Sequence, residues 1–446
     1  MAFGLRPSVF VFTGLLALGT GVLFGLYPAF HSTRRDLVSI IKANTGQPSG
    51  SRGAKRFRGS LVTAQIALSM TLLVVAGLFI SSLANVSRVE LGIASDNLVT
   101  FSIAPVLSGY EPERSAGFFQ QLEEELAAIP GVIEASASMV PLLTGNSWGN
   151  SVRVEGFENE DPEVDRGSRY NQIGPNYLAT MGMPLIAGRE FGISDVAGAP
   201  PVAIVNEAFT RKFNLDGREA VGKYMAEGGG DDLDIQIVGV VQDAKYNDVK
   251  QAVPPMYLRP YKQDETLGFL TFYVRTAADP APVLRSIPDV VRRLDPNLPV
   301  DDLKRMQDQI RENTFGDRMV SILAAAFATL ATVLAAIGLY GVLAYTVAQR
   351  TREIGLRMAL GADRGRVQTM VFKQVSTMLA LGGVLGLLAA FGLAGVAESI
   401  LFGVERLAVL PMIAAAGILG VVAYGAGYLP ARRASRVDPM DALRQD

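Results

Sequence analysis

Five stretches of the chain are long, apolar and free of charge: Val9–Phe30, Leu61–Leu83, Met319–Ala348, Gln374–Ala397 and Leu407–Tyr428. Each meets or exceeds the ~20 residues that a helix needs to cross ~30 Å of hydrocarbon, so the pattern predicts five transmembrane helices. The interval between the second and third stretches reads differently. Asn97–Ile103 alternates like a strand, Glu113–Ile129 reads as a helix with Glu123–Glu125 on its wet face, and Val132–Met139 reads as a second strand. Phe269–Arg275, Ala281–Leu294 and Leu298–Val300 repeat that strand–helix–strand order. Two such units predict a ferredoxin-like α+β core, split by an insert over about Ser147–Thr266. Within the insert, strand patterns fall near Ser151–Glu155, Val202–Asn206 and Ile235–Val241, among turns rich in Gly, Asp and Pro. Lys304–Asn313 reads as a helical stalk leading into the third span.

Composition supports a membrane protein. A mean hydropathy of +0.27 with 19% charged residues does not suit one soluble globule. The formal charge of −2 hides a split. Between Asn85 and Arg318 there are 35 acidic and 22 basic residues, whereas the rest carries 8 acidic and 19 basic. The basic residues sit between the first and second spans (Arg34, Arg35, Lys42, Arg52, Lys55, Arg56, Arg58), between the third and fourth (Arg350, Arg352, Arg357, Arg364, Arg366, Lys373) and after the fifth (Arg432, Arg433, Arg436, Arg444). The positive-inside rule puts all three in the cytoplasm and the acidic 85–318 segment outside. Val9–Phe30 is too long for the apolar region of a signal peptide and ends in Tyr27-Pro28-Ala29-Phe30-His31, so it reads as a retained helix.

An internal repeat accounts for that helix. Gly25, Pro28, Ala29, Arg34 and Asp36 recur as Gly427, Pro430, Ala431, Arg436 and Asp438, at one offset without a gap. The first span then reads as the last helix of an earlier repeat. A complete unit follows: helix, large external domain, three helices, tail.

Candidate chemistry is sparse. With no cysteine and one histidine, His31, the chain offers no disulfide, thiolate zinc site or multi-histidine metal site, and a histidine-based triad is not expected. Gly217-Arg-Glu-Ala-Val-Gly222-Lys223 fits the spacing of a phosphate-cradling loop, but Tyr224 stands where Ser or Thr should hold Mg²⁺, so it reads as a polar turn. Gly228-Gly-Gly-Asp-Asp reads as a loop rather than an ion site, and Asp231 with Asp232 as solvated surface. No catalytic residue, cofactor or metal is assigned. The four spans from Leu61 onward contain no Asp, Glu, Lys, Arg or His, which argues against an ion-coupled carrier. Gly21, Gly25, Gly382, Gly386, Gly338, Gly341, Gly417 and Gly420 form small-residue seams expected to serve close helix packing.

The most informative stretch is Gln349-Arg350-Thr351-Arg352-Glu353-Ile354-Gly355-Leu356-Arg357-Met358-Ala359-Leu360-Gly361-Ala362. Arg350, Glu353 and Arg357 form a charged ridge at i,i+3 and i,i+4 spacing, Ile354 and Met358 an apolar pair on a neighbouring face, and Gly361 a helix stop. A short helix of this kind between two spans suits docking into a groove of a cytoplasmic partner. The alternative is a solvated juxtamembrane turn against anionic lipid.

This string resembles the coupling-helix signature of MacB/FtsX-type ABC transporter permeases. The tail from Pro430 to Arg444 is similar to that family's P-A-x-x-A-x-x-x-x-P-x-x-A-L-R ending, and Gly174–Phe191 with Val202–Glu207 looks like the MacB-type periplasmic core. The resemblance covers about 56–446. The leading helix and the repeat look like the later half of the duplicated acidobacterial permeases.

The resemblance implies a type VII architecture: an α-helical membrane protein with an inserted α+β periplasmic core. Cytoplasmic ATPases dimerise on ATP and push the coupling element, here Arg350, Glu353, Ile354, Gly355, Arg357, Met358 and Gly361. The stroke then reaches the external domain for efflux or other extracytoplasmic work in the inner membrane of a bacterium. No ATPase domain is present in the sequence, so the ATPase partner is expected to be a separate chain. A homodimer or a pairing with another permease, the lipid bilayer and a periplasmic adaptor are the other expected partners, with no nucleic acid. The expected layout is an extra helix (1–31), a basic cytoplasmic linker (32–60), a span (61–84), the periplasmic core with stalk (85–318), a three-helix FtsX-like domain (319–431) with coupling loop 349–369, and a cytoplasmic tail (432–446). The rival reading is a non-transporting membrane scaffold that regulates a periplasmic enzyme or assembly.

Overall fold

The computed structural model describes residues 7–33, 52–157, 165–215, 217–228, 232–264, 266–360, 363–397, 401–404 and 408–436. Residues 34–51 of the basic linker, Gly229 to Asp231 of the glycine–aspartate loop, Gly361, and the tail after Arg436 lie outside the described residues, as does the side chain of His31. The chain divides into two compact units. One comprises Met1–Ile66, Ala335–Leu381 and Ala423–Asp446, the other Ala67–Leu334 and Gly382–Val422.

The chain opens with helix α1 (Pro7–Thr33), which is 27 residues long. Helix α2 (Arg52–Val86) follows. Its window Arg56–Val86 is long and apolar enough to cross a membrane.

The inserted domain comes next, and two layers of logic build it. Strand β1 (Leu98–Ile103), helix α3 (Pro112–Ala127) and strand β2 (Val132–Ser138) make the first unit. Between it and its counterpart lie β3 (Trp148–Val154), β4 (Gly167–Ile173), α4 (Tyr177–Met181), β5 (Leu185–Gly188), β6 (Val202–Asn206), α5 (Glu207–Lys212), β7 (Tyr224–Glu227), β8 (Ile235–Val241) and β9 (Met256–Pro260). The second unit is β10 (Leu270–Thr276), α6 (Ala281–Leu294) and β11 (Asp301–Arg305).

The two outer units pair in the order β11–β1–β10–β2, antiparallel throughout. This is the ferredoxin-like arrangement, made because each strand–helix–strand crossover returns its second strand to the same sheet. Helices α3 and α6 bury apolar rows at helical spacing, Phe119, Leu122 and Leu126 on one and Val283, Ile287, Val290 and Val291 on the other. Across the sheet Phe101 lies opposite Phe272 with their rings stacked at 5.3 Å. Glu123 departs from the expected wet face. It is buried, on the same side of α3 as Phe119 and Leu126, while Glu124 and Glu125 stay at the surface.

The insert folds as a ring. β4 pairs with β3 on one side and β9 on the other, β9 with β6, β6 with β8, β8 with β7, and β7 back with β3. Val152, Val154, Val205, Phe209, Phe213, Ile237 and Tyr257 fill a core of its own. Ile173 of β4 pairs with Ser138 of β2, which joins the ring to the ferredoxin-like sheet. The stretch resembling a phosphate loop is a turn over 217–222 followed by β7, with no helix after it. A phosphate-cradling loop needs a helix N-terminus there.

Two expectations move. The last strand is not Leu298–Val300 but Asp301–Arg305, because Leu298 is buried as part of the core while the charged residues pair along the sheet edge with Val99, Thr100 and Ser102. The stalk helix α7 accordingly begins at Met306 and runs to Asn313. Lys304 and Arg305 belong to the strand.

Helix α8 (Phe315–Gln349) is one uninterrupted helix of 35 residues. Helices α9 (Thr351–Ala359), α10 (Arg364–Ala397) and α11 (Val409–Ala434) complete the described chain. α8, α10 through its Arg364–Gly395 window, and α11 meet the length and hydropathy of spans. Four such helices are therefore present among the described residues, and they account for the last four of the five spans that the sequence predicts.

Apolar solvent gives helices little reason to associate by burial alone, so small residues and interhelical hydrogen bonds matter. In the unit containing Ala67–Leu334, Ser69 Oγ donates to the Ala331 carbonyl at 2.9 Å, Thr71 Oγ1 to that of Gly386 at 3.0 Å, and Ser321 Oγ to that of Phe79 at 3.2 Å. A Cβ on Gly386 would fall 2.5 Å from the Ala67 carbonyl oxygen. The expected close packing thus holds at Gly386, and in the other unit at Gly338 against Gln65. Gly21, Gly341, Gly417 and Gly420 have no neighbour within 4 Å of a Cβ position, so those seams are not contacts within the described chain.

Candidate functional site

Helix α9 lies in the unit with the ends of α2, α8, α10 and α11 that carry the basic residues. It is separated from α8 by a turn at Arg350, whose carbonyl accepts the Ile354 N–H at 2.8 Å. The sequence-predicted i,i+4 pair forms: Arg357 meets Glu353 Oε1 at 2.6 Å, both half-exposed at the surface. Arg350 instead turns towards Met370, its guanidinium 4.0 Å from Sδ, with that of Arg357 at 3.8 Å.

The apolar pair goes inward rather than to a partner. Ile354 is 1% exposed and shares a small core with Val367 of α10 and Ala434 of α11, ringed by Val347, Met358 and Met370. Gly355 is buried as well. These residues hold the helix to the chain's own membrane domain. The face left to solvent carries Glu353 and Arg357 with two large apolar residues that the sequence reading did not single out, Leu356 at 51% and Leu360 at 80% exposed. Their signal was available: Glu353, Leu356, Arg357 and Leu360 follow the i, i+3, i+4, i+7 spacing of one helical face. Gly361, the expected helix stop, is outside the described residues, and α9 ends at Ala359 with Leu360 as its cap.

The alanines of the tail motif explain how α11 reaches this core. Ala431 and Ala434 are fully buried, and a Cβ on Gly427 would lie 3.0 Å from Val375. Small side chains let the end of α11 lie close against α10, where Gln368 Nε2 donates to Ser435 Oγ at 3.2 Å. Arg433 donates to Tyr340 Oη at 3.1 Å. The described side chains of this unit include Arg56, Arg58, Arg364, Arg366, Lys373, Arg432 and Arg436, against the carboxylates of Glu353 and Asp363 alone, so the described part of the unit is strongly basic.

The inserted domain contains one perturbed acid of note. Burial pushes the Glu123 carboxyl up to about 7, against the pull of Lys262, whose Nζ is 3.7 Å from Oε2, and of the Tyr261 hydroxyl. Arg189 grips Asp195 through two hydrogen bonds of 2.6 and 3.0 Å and holds that carboxyl below its ordinary range, which is a structural clasp. Among the described residues no group of three or more His, Cys, Asp or Glu could hold a metal ion. Of the Asp231–Asp232 pair only Asp232 is described.

Comparison with known proteins agrees with this anatomy. Residues 60–290 match the MacB-like periplasmic core domain and residues 325–439 the FtsX-like permease C-terminal domain. A macrolide export ATP-binding/permease protein MacB 1/2 of Paracoccus denitrificans is 28% identical over 292 residues, 63% of this chain and 42% of the relative. A pyoverdine export ATP-binding/permease protein PvdT of Pseudomonas syringae pathovar tomato is 25% identical over 293 residues, 64% of this chain and 44% of the relative. The chain thus spans less than half the length of these relatives, whose names join ATP binding to permease in one protein. Among solved structures, the periplasmic region of MacB from Actinobacillus actinomycetemcomitans is 14% identical, covering 50% of this chain and 93% of that one at a TM-score of 0.33. The extracellular domain of the transporter YknZ from Gram-positive bacteria is 16% identical, covering 45% and 94% at 0.29. The core-domain match alone takes in more than half of the chain, and with the FtsX-like match behind it this protein belongs to the MacB/FtsX-type permease family.

Proposed function

We propose that the chain is the permease subunit of a type VII ABC transporter, driven by a separate cytoplasmic ATPase and working on a cargo or partner beyond the inner membrane. The observation that carries this is α9. Its inner face, Ile354 and Met358, is anchored in the chain's own core, so its outer face, Glu353, Leu356, Arg357 and Leu360, is presented on a fixed base. A lever needs that combination: a grip for the driver and a rigid connection to what is driven. The uninterrupted helix α8, joined to the inserted domain through α7, is the connection we assign to the stroke.

In this reading α1 is a fifth span, 32–60 and 432–446 are cytoplasmic, 85–318 is periplasmic, and the 319–431 domain carries the coupling loop 349–369. Two permease chains, alike or different, assemble with the ATPases, and a periplasmic adaptor is the natural outer partner. The basic flanks of the spans support this orientation.

The test is co-expression with a candidate ATPase, followed by affinity purification and ATP hydrolysis in detergent. Co-purification with stimulated hydrolysis, lost on Glu353→Lys, is the expected result. Hydrolysis indifferent to Glu353→Lys and to Leu360→Glu would sink the coupling role.

A further inference from the structure

A cavity of about 390 Å³ opens where the beginning of α2 meets the ends of α8 and α10. All of its lining belongs to one compact unit. Two arginines, Arg56 and Arg58, stand on one wall; Tyr345, Thr346, Gln349 and Gln374 supply neutral polar groups; Val342 and Met378 supply an apolar patch. Among the described residues, no carboxylate lines it. The polar wall is already assembled. The Arg58 guanidinium stacks over the Tyr345 ring, 4.1 Å from its centre, and Gln349 Nε2 donates to Tyr345 Oη at 2.7 Å. Stacking leaves the edge of the guanidinium, with its fork of N–H donors, free for an anion.

We propose that this cavity binds the phosphate headgroup of an anionic phospholipid from the inner leaflet. Two features point to a lipid rather than a soluble anion. The cavity lies where apolar helices pass into a basic margin, the level at which headgroups reside. Its lining is also divided, arginine and amide for a phosphate diester, Val342 and Met378 for the first carbons of an acyl chain. Thr346 and Gln374 also line the small cavity behind Arg350 and Ile354. The bound headgroup thus borders the packing that seats α9, and the lipid braces the coupling helix from behind. The proposal rests on the cytoplasmic placement of this margin given above.

The test is native mass spectrometry of the full chain in detergent, titrated with phosphatidylglycerol and with phosphatidylcholine. The wild-type chain is expected to retain phosphatidylglycerol selectively. Arg56→Gln with Arg58→Gln is expected to weaken that binding by about tenfold or more, with phosphatidylcholine adducts unchanged, while Arg58→Lys keeps part of the selectivity. Equal retention of the two lipids by the wild-type chain overturns the proposal whether or not the variant folds. So does displacement of phosphatidylglycerol by millimolar inorganic phosphate, which identifies a soluble-anion site. Since the chain has no cysteine, Gln349→Cys can be crosslinked cleanly; efficient Gln349→Cys disulfides between two copies would show the cavity closed by a second chain and also overturn it. The titration needs no ATPase, so its failure is separate from failure of the coupling role.

Discussion

The carbonyl oxygen of Leu143 accepts two hydrogen bonds from one face of α7, from Gln309 Nε2 and Asn313 Nδ2, each at 3.0 Å. Leu143 holds the left-handed conformation, φ 57°, that aims the carbonyl there. Asn313 also donates to the Asn247 carbonyl at 3.1 Å and accepts the Val249 N–H at 3.2 Å. One asparagine at the end of the stalk therefore ties two loops of the inserted domain to the helix that precedes α8. Asn313→Ala leaves the buried Val249 N–H unpaired and removes one of the two donors to each of the Leu143 and Asn247 carbonyls, and should cost about 1–3 kcal/mol. Hydrogen exchange should accelerate at the amides of Gly145 and Val249 and remain unchanged in β6 and β8; unchanged exchange at both loops would refute the tie.

The two faces of α9 should separate in mutagenesis. Ile354→Asp buries a carboxylate in an apolar core, so the melting temperature of the purified chain should fall. Leu360→Glu alters a residue that is 80% exposed and should leave the melting temperature unchanged, while ATPase stimulation drops by roughly tenfold, as for a contact worth more than 1 kcal/mol. If both variants melt alike, the inward and outward assignments are wrong.

Glu123 sets a pH dependence. Its ordinary value is 4.5, and burial raises it to about 7 in the folded domain. Below pH 4.5 both folded and unfolded chains hold the proton and the residue costs nothing. As pH rises from 4.5 to 7, the unfolded chain ionises freely while the folded one must hold the proton, and above 7 the folded one buries a charge. The domain therefore loses stability over that window, by an order of ~3 kcal/mol. Lys262, Tyr261 and Glu124 are the charged and titratable groups that bear on it. Glu123→Gln should raise thermal stability at pH 8 and leave it unchanged at pH 4. Parallel pH profiles for the two proteins would refute this.

Gly386→Ala places a methyl group 2.5 Å from the Ala67 carbonyl and 2.6 Å from Met70 Cβ. Overpacking of this kind costs about 1–3 kcal/mol. The same change at Gly417 meets nothing within 4 Å and should be neutral within the single chain. Thermal unfolding in detergent distinguishes them. An equal loss at Gly417 would reveal a neighbour from another chain.

The legible parts of the sequence were those whose partners are generic. Val202–Asn206, Ile235–Val241 and Ala281–Leu294 match their elements end to end because the two strands are short apolar runs buried on both faces and the helix repeats its apolar residues at helical spacing. β4 escaped notice because Gly167-Ser-Arg-Tyr-Asn-Gln-Ile173 is polar at positions that are nonetheless buried. Asn171 is satisfied there by the backbone of Val140, with its Nδ2 donating at 2.9 Å and its Oδ1 accepting at 2.8 Å. Such partners come from tertiary structure and leave no local trace. β11 misled for the opposite reason: apolar Leu298 plugs the core, and charged residues make the strand. In α9, the Glu353–Arg357 pair followed from spacing alone. The destination of Ile354 did not, since Val367 and Ala434, the residues that receive it, belong to two other helices.

The ring formed by β3, β4, β9, β6, β8 and β7 satisfies its own main chain, and the sheet that adjoins it ends in Asp301, Asp302, Lys304 and Arg305. Charge along such a border discourages annexation by a foreign strand. Any strand offered to that border meets charge before it meets main chain, so recognition there would have to run through side chains, which can change while the scaffold beneath stays as it is.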